Sequence, residues 1–150
     1  SSSSAASDVY KRQVYALALF SLMQNLNDIP PSQACTFFTE TQVDIAKRVE
    51  KIITSDLRQH HPAWELAAQF SVSETSLKNY FRGVFGQNIS FYLRECRMKR
   101  AAELLVSTTL SVAEIAEQVG YMNQSKFALV FKKRFSMSPL EYRRYRNLNS

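Results

Sequence analysis

Two stretches decide how this chain folds: LAAQFSVSETSLKNYFRGVFGQNISFY at residues 66–92 and IAEQVGYMNQSKFALVFKKRFSMSPLEY at residues 115–142. They carry one pattern. Leu66, Ala67, Phe70, Leu77, Phe81, Phe85, Gly86 and Tyr92 recur as Ile115, Ala116, Val119, Phe127, Phe131, Phe135, Ser136 and Tyr142. The offset is 49 residues for the first three pairs and 50 for the last five, so one residue is added in the turn between them. A short helix, a tight turn and a second helix whose apolar positions step by four is the sequence form of a helix-turn-helix. Two in tandem imply a protein that reads two stretches of DNA.

In the first copy Ser71, Val72 and Ser73 form the turn. Ser73 caps a helix to about Phe85, which Gly86 ends in the left-handed conformation glycine adopts most cheaply. Leu77, Phe81 and Phe85 share one side of that helix; Thr75, Lys78, Asn79 and Arg82, spaced i, i+3, i+4 and i+7, share the other. A polar outward stripe is by default a solvated face. On the second helix of a helix-turn-helix it is the face that enters the major groove, and this favours base contact. In the second copy Ser111 and Glu114 form a capping box, Gly120, Tyr121 and Met122 turn the chain, and Asn123 caps a helix from Gln124 to about Phe135. Phe127, Phe131 and Phe135 form its inner side, with Gln124, Ser125, Ala128, Leu129 and Lys132 outward. Ser138 and Pro139 then start a last helix carrying Tyr142, Arg143, Arg144 and Arg146.

Working outward, His61 before Pro62 marks the start of the first motif, with Glu65 in the first turn where the helix dipole favours an anion. Helical spacing from Trp64 to Ala67 and Ala68 places this single tryptophan in the core, and Ala67 is small because the two helices of the motif cross closely. Between the motifs a helix from about Ser90 to Val106 has Tyr92, Leu93, Cys96, Ala101, Leu104 and Leu105 on its apolar side and Arg94, Arg97, Lys99 and Arg100 on its basic one. At 1.5 Å per residue it spans about 25 Å and can hold the motifs apart. Upstream, Thr39 with Gln42, or Thr41 with Asp44, caps a support helix with the apolar set Val43, Ala46, Val49, Ile52 or Ile53, and Leu57. Val14 to Leu26 reads as a further buried helix, followed by a linker through Pro30 and Pro31 to Phe38. Ser3 to Gln13 (SSAASDVYKRQ) resembles the in-frame translation of a transposon adapter. On that reading the natural chain begins at or near Val14 and residues 14–38 are the remnant of an upstream domain.

Charge is unevenly placed. Residues 1–72 hold 6 Lys/Arg against 7 Asp/Glu, whereas residues 73–150 hold 13 against 6, so the whole formal charge of +6 belongs to the repeated half. A basic surface attracts polyanions by counterion release, and nucleic acid fits better than a membrane because no long basic amphipathic helix with apposed Trp and Phe is visible. No apolar run reaches the roughly 18 residues of a membrane span. Cys35 and Cys96 lack zinc-ligand spacing and the adjacent His60 and His61 are a poor metal pair, so no metal or other cofactor is expected and reduced thiols fit a cytoplasmic protein. No Ser/His/Asp, paired-carboxylate or phosphate-loop pattern is present, which argues against an enzyme. A helical adaptor that binds protein is the remaining alternative.

The second copy, with SVAEIAEQVGY, QSKF, FKKRF and SMSPLEYRR in succession, resembles the DNA-binding domain of the AraC/XylS family of bacterial transcription regulators, and the likeness runs from about Gln42 to Arg146. The resemblance implies an all-α fold of seven helices over residues 39–150: a first helix-turn-helix at about 62–85, a linker helix at about 90–106 and a second helix-turn-helix at about 111–135. It implies a double-stranded DNA operator, with recognition helices in successive major grooves about 34 Å apart. It further implies RNA polymerase as a partner, and a small-molecule effector acting through an N-terminal domain. The family can also accompany a methyl-accepting, zinc-bound cysteine in DNA repair, but Cys35 and Cys96 lack the four-ligand spacing.

Carried over by position, base readout falls on Thr75, Lys78 and Asn79 in the first recognition helix and on Gln124, Ser125, Ala128 and Leu129 in the second. Lys78 can donate to guanine, Asn79 and Gln124 can pair with adenine, and Ala128 or Leu129 can meet a thymine methyl. Arg82, Arg97, Lys126 and Lys132 are assigned to phosphates. This chain departs from the family at Leu129, where arginine is frequent, so weaker polar discrimination is expected there. It departs again at Ser136, where glycine is common. A left-handed serine there costs on the order of 1 kcal/mol.

Overall fold

The computed structural model describes residues 37–149, and within them every element is an α-helix. In chain order these are α1 (Glu40–Ser55), α2 (Ala63–Gln69), α3 (Glu74–Phe85), α4 (Ile89–Ser107), α5 (Val112–Gln118), α6 (Gln124–Phe135) and α7 (Pro139–Leu148). The adapter-like tail, the helix expected over Val14 to Leu26, its proline linker and Cys35 lie outside the described residues. No described helix is long and apolar enough to cross a membrane.

Local signals set the helix starts. Thr39 accepts from the Gln42 backbone N–H at 3.3 Å while the Gln42 side chain takes the Thr39 N–H at 3.0 Å, and the same reciprocal box forms at Ser111 with Glu114 and at Ser138 with Glu141. Each box satisfies two amide donors that a helix start leaves open. Asn88 caps α4, so that helix begins one residue before Ser90.

The helices enclose two separate apolar cores. The first joins Ile45, Val49 and Ile53 of α1, Leu66 and Ala67 of α2, and Leu77 and Phe81 of α3, with Ile89, Tyr92 and Leu93 of α4 against it. The second joins Met98, Ala101, Ala102, Leu104 and Leu105 of α4 to Val112, Ile115, Ala116, Val119, Phe127 and Phe131. The two share no residue, so α4 buries one face at its start and another further along. A single apolar stripe therefore describes α4 poorly, which is why Met98, fully buried, is missing from the side expected of it. In α1, likewise, Ile45 is buried where Val43 is only partly so.

The expectation for Trp64 is overturned. It is 66% exposed, and the face it shares with Ala68 is also solvent-facing. At about 100° per residue Trp64 lies roughly 160° around α2 from Leu66, so the stripe of Leu66, Ala67 and Phe70 leaves it outside.

The copies are congruent in three dimensions. Behind α3, ring centroids of Phe81–Phe85, Phe81–Tyr92 and Phe85–Tyr92 lie 4.6, 5.4 and 5.1 Å apart. Behind α6, Phe131–Phe135, Phe131–Tyr142 and Phe135–Tyr142 lie 4.6, 5.5 and 5.2 Å apart. In each turn the amide two residues after the first helix's capping residue bonds back to the small alanine, Val72 to Ala67 at 3.1 Å and Tyr121 to Ala116 at 2.9 Å. Helix α3 begins two residues after Val72 and α6 three after Tyr121, so the added residue is Met122.

Each motif also needs two left-handed residues, and the chain uses one glycine and one serine in each, with the order exchanged. Ser71 (φ 54°) and Gly86 (φ 71°) serve the first motif, Gly120 (φ 84°) and Ser136 (φ 59°) the second. A side chain at Gly86 would meet nothing within 4 Å, so only backbone preference separates Gly86 from Ser136. Replacing Ser136 with Gly is therefore expected to stabilise the domain by about 1 kcal/mol, and Gly86 with Ser to destabilise it by about as much, read as opposite shifts in the thermal unfolding midpoint. Equal midpoints for both variants would show that neither left-handed turn is strained.

Candidate nucleic-acid interface

Helix α3 is the outer helix of the first motif, packed on α1 and α2. Ser73 starts it by accepting from the Ser76 amide at 3.1 Å. Leu77 and Phe81 point inward and are fully buried, while Thr75, Lys78, Asn79 and Arg82 are all exposed. Lys78 pairs with Glu74 one turn earlier, so its ammonium has a carboxylate partner within its own helix. Both ends of that pair are about half exposed, and such pairs contribute at most about 1 kcal/mol, so an incoming anion can compete for the lysine.

Helix α6 occupies the same place in the second motif. Asn123 accepts from the Lys126 amide at 2.9 Å and aligns the first turn. Gln124, Ser125, Lys126, Leu129 and Lys132 are exposed and Ala128 is half-buried. Leu129 stands 72% exposed in the middle of the outward face. Met122, the residue added in the turn, is fully open to solvent. The one-residue change of offset was the signal for Met122, although it carried no hint of exposure.

Arg97 does not sit with the other cations assigned to phosphate. It is half-buried, its Nε donates to the Leu57 carbonyl at 2.9 Å, and its Nη2 donates to the Gln59 carbonyl at 3.2 Å. Its guanidinium carbon lies 5.8 Å from the centre of the Tyr121 ring. Burial lowers the Arg97 pKa from its ordinary value and raises that of Tyr121, both consequences of removing polar groups from water. The sequence held a sign of this: Leu93, Arg97, Ala101 and Leu104 fall at i, i+4, i+8 and i+11, on one side of α4. Arg82, Lys126 and Lys132, in contrast, make no salt bridge among the described residues.

Other cations are also engaged. Arg134 of α6 reaches Glu95 of α4 at 2.6 Å, and Arg143 of α7 donates to the carbonyls of Leu105 and Leu110 at 2.9 and 2.6 Å. Tyr92 donates to Glu50 at 3.0 Å, and burial with that neighbouring carboxylate pushes its pKa up to about 12. The half-buried Cys96 thiol is likewise pushed up by burial, which disfavours the reactive thiolate. Arg134, Arg143 and Tyr92 tie helices together.

Two congruent motifs, each presenting its outer helix to solvent from the same three-ring support, define a tandem helix-turn-helix domain. Residues 66–145 match a family model described as a helix-turn-helix domain. Among curated proteins, the transcriptional activator RhaR of Mannheimia succiniciproducens is 38% identical over 79 residues, covering 53% of this chain and 29% of that protein. The chain spans about a third of the length of the curated relatives it matches. Among solved structures, the C-terminal domain of AraT, a response regulator from Geobacillus stearothermophilus, superposes with a TM-score of 0.64 at 37% identity, covering 68% of this chain and 85% of that one. The DNA-binding domain of AdpA, solved in complex with a target DNA, shares the fold with a TM-score of 0.65 at 23% identity over 69% of this chain and 94% of its own. The chain belongs to the AraC/XylS family of bacterial helix-turn-helix transcription regulators.

Proposed function

We propose that this domain regulates transcription initiation by binding an asymmetric site on double-stranded DNA, with α3 and α6 in successive major grooves. The observation that supports this most is the contrast between the two sides of the recognition helices. Their inner sides match to within about 0.1 Å in ring spacing, whereas their outer sides diverge where Lys78 and Asn79 of the first give way to Ala128 and Leu129 in the second. A protein-binding adaptor would need no such duplicated scaffold.

On this reading Thr75, Lys78 and Asn79 face base edges in one groove, and Gln124, Ser125, Ala128 and Leu129 in the next. Asn79 and Gln124 suit the paired donor and acceptor of adenine, Lys78 suits guanine, and exposed Leu129 suits a thymine methyl. Arg82, Lys126 and Lys132 hold phosphates and set register without reading sequence. Because the outward faces differ, one chain binds in one orientation. The domain acts through this complex rather than by catalysis. In the whole protein, RNA polymerase is the partner that the bound domain influences, and a small-molecule effector acts through a separate N-terminal domain.

Selection of bound duplexes from a random pool supplies the operator, and anisotropy titrations with that duplex test the assignments. Asn79→Ala or Gln124→Ala is expected to cost about 1 to 3 kcal/mol and to relax preference at one base position. Lys132→Ala should weaken all sequences alike and reduce the slope of log K against log salt by about 0.9. Identical behaviour of the two classes would refute the division of the faces. Glu74→Gln is expected to release Lys78 and remove a like charge beside phosphate, strengthening binding by roughly 2- to 5-fold at low salt and little at high salt. Weaker binding by this variant at low salt would contradict the placement of Lys78 in the groove.

A further inference from the structure

We propose that Arg97 fixes the two helix-turn-helix motifs relative to each other and so sets the half-site spacing that the domain accepts. The spacing part rests on the two-groove reading above. The two apolar cores share no residue, and the extensive helix packing lies either within one motif or against α4. Apolar burial is non-directional and acts within each half, each on its own stretch of α4, so beyond the continuous α4 the angle between the halves depends on the contacts that cross the junction. With recognition helices about 34 Å apart and a pivot midway, a rotation of about 10° displaces one of them by about 3 Å, roughly one base-pair step. Something must therefore hold that angle.

Arg97 stands where α4 passes from one core to the other, after Leu93 and next to Met98. Two segments far apart in sequence meet on its guanidinium. The α1–α2 loop of the first motif offers the carbonyls of Leu57 and Gln59, at 2.9 and 3.2 Å, and the turn of the second motif offers the Tyr121 ring, at 5.8 Å. Gly120 lets them close: a Cβ there would stand 2.4 Å from the Leu57 oxygen and 2.8 Å from Arg97 Nη2. Only a planar fork can donate along one edge to two carbonyls while its face covers a ring. A lysine ammonium offers a single centre and no face. Arg97 is in this sense a positioning residue whose charge is spent inside the protein.

The test uses the full 150-residue chain with a fluorescein-labelled duplex obtained by selection, and the same duplex with one base pair inserted or removed between half-sites. Wild type is expected to lose about 10-fold or more in affinity at either altered spacing, and Arg97→Gln and Arg97→Lys to narrow that loss to about 3-fold or less. The salt slope should stay unchanged in both variants. A uniform loss at all spacings in Arg97→Gln, with the slope reduced by about 0.9, is the signature of a phosphate contact and would overturn the proposal. An unaltered spacing preference would overturn it as well. Gly120→Ala, which wedges the same junction while keeping Arg97, should also broaden spacing and carries the test should the Arg97 variants fail to fold. Amide residual dipolar couplings of the free protein give a reading without DNA: one alignment tensor for both motifs in wild type, two in Arg97→Gln. A single tensor in the variant defeats the clamp. Separate tensors, together with a wild type indifferent to spacing, would defeat the two-groove reading instead.

Discussion

Each recognition helix is seated on a knot of three aromatic rings, and the arrangement of both motifs follows from that contact. Phe81, Phe85 and Tyr92 close behind α3, and Phe131, Phe135 and Tyr142 behind α6, with the same ring separations. The rings at i and i+4 fix the rotation of the recognition helix about its axis, and the tyrosine fixes where the following helix crosses it. Aromatic pairs at these distances contribute about 0.5–1.5 kcal/mol beyond the area they bury, and in each knot one pair, Phe81–Tyr92 and Phe131–Tyr142, stands edge-to-face, a directional contact. Once the inner side is fixed this way, the 3.6 period of the helix leaves only one set of residues to face outward.

The same scaffold therefore permits unequal reading. The first face offers an amide, a hydroxyl, an ammonium and a guanidinium; the second offers an amide, a hydroxyl, an ammonium and an exposed leucine. The left-handed positions show the same division of labour. Ser71 and Ser136 hold, at φ 54° and 59°, a conformation that glycine would adopt more easily. Gly120 has no such latitude, since the Leu57 carbonyl and the Arg97 guanidinium press on it. In the turn of the second motif, where Leu57 and Arg97 press on Gly120, a side chain has no room.

Much of this was legible in the residues. The four-residue step of Leu77, Phe81 and Phe85, repeated at Phe127, Phe131 and Phe135, fixes the inner sides, and the capping pair at Ser111, with Ser138 before Pro139, places helix starts to within a residue or so. What stayed hidden depends on contacts between distant segments. Trp64 reads as core by its helical spacing to Ala67 and Ala68, but α2 is only two turns long and its single buried stripe runs elsewhere. Met98 was missed because α4 serves two cores in succession, and one amphipathic stripe cannot describe both. Arg97 reads as one more cation on a basic helix until the Leu57 and Gln59 carbonyls, some forty residues upstream, are brought to it by the fold. Periodicity reports which side of a helix is buried, and it cannot report what a polar group on that side will meet.

The central claim is that one copy of this chain reads two successive major grooves with two different faces. Dimethyl sulfate interference on the selected duplex, at one chain per duplex, tests it most directly. The account predicts two clusters of major-groove guanine and flanking contacts on one side of the helix, centred about 10 to 10.5 base pairs apart and unlike in sequence. A single cluster, or two clusters forming an inverted repeat that requires two chains, would contradict it.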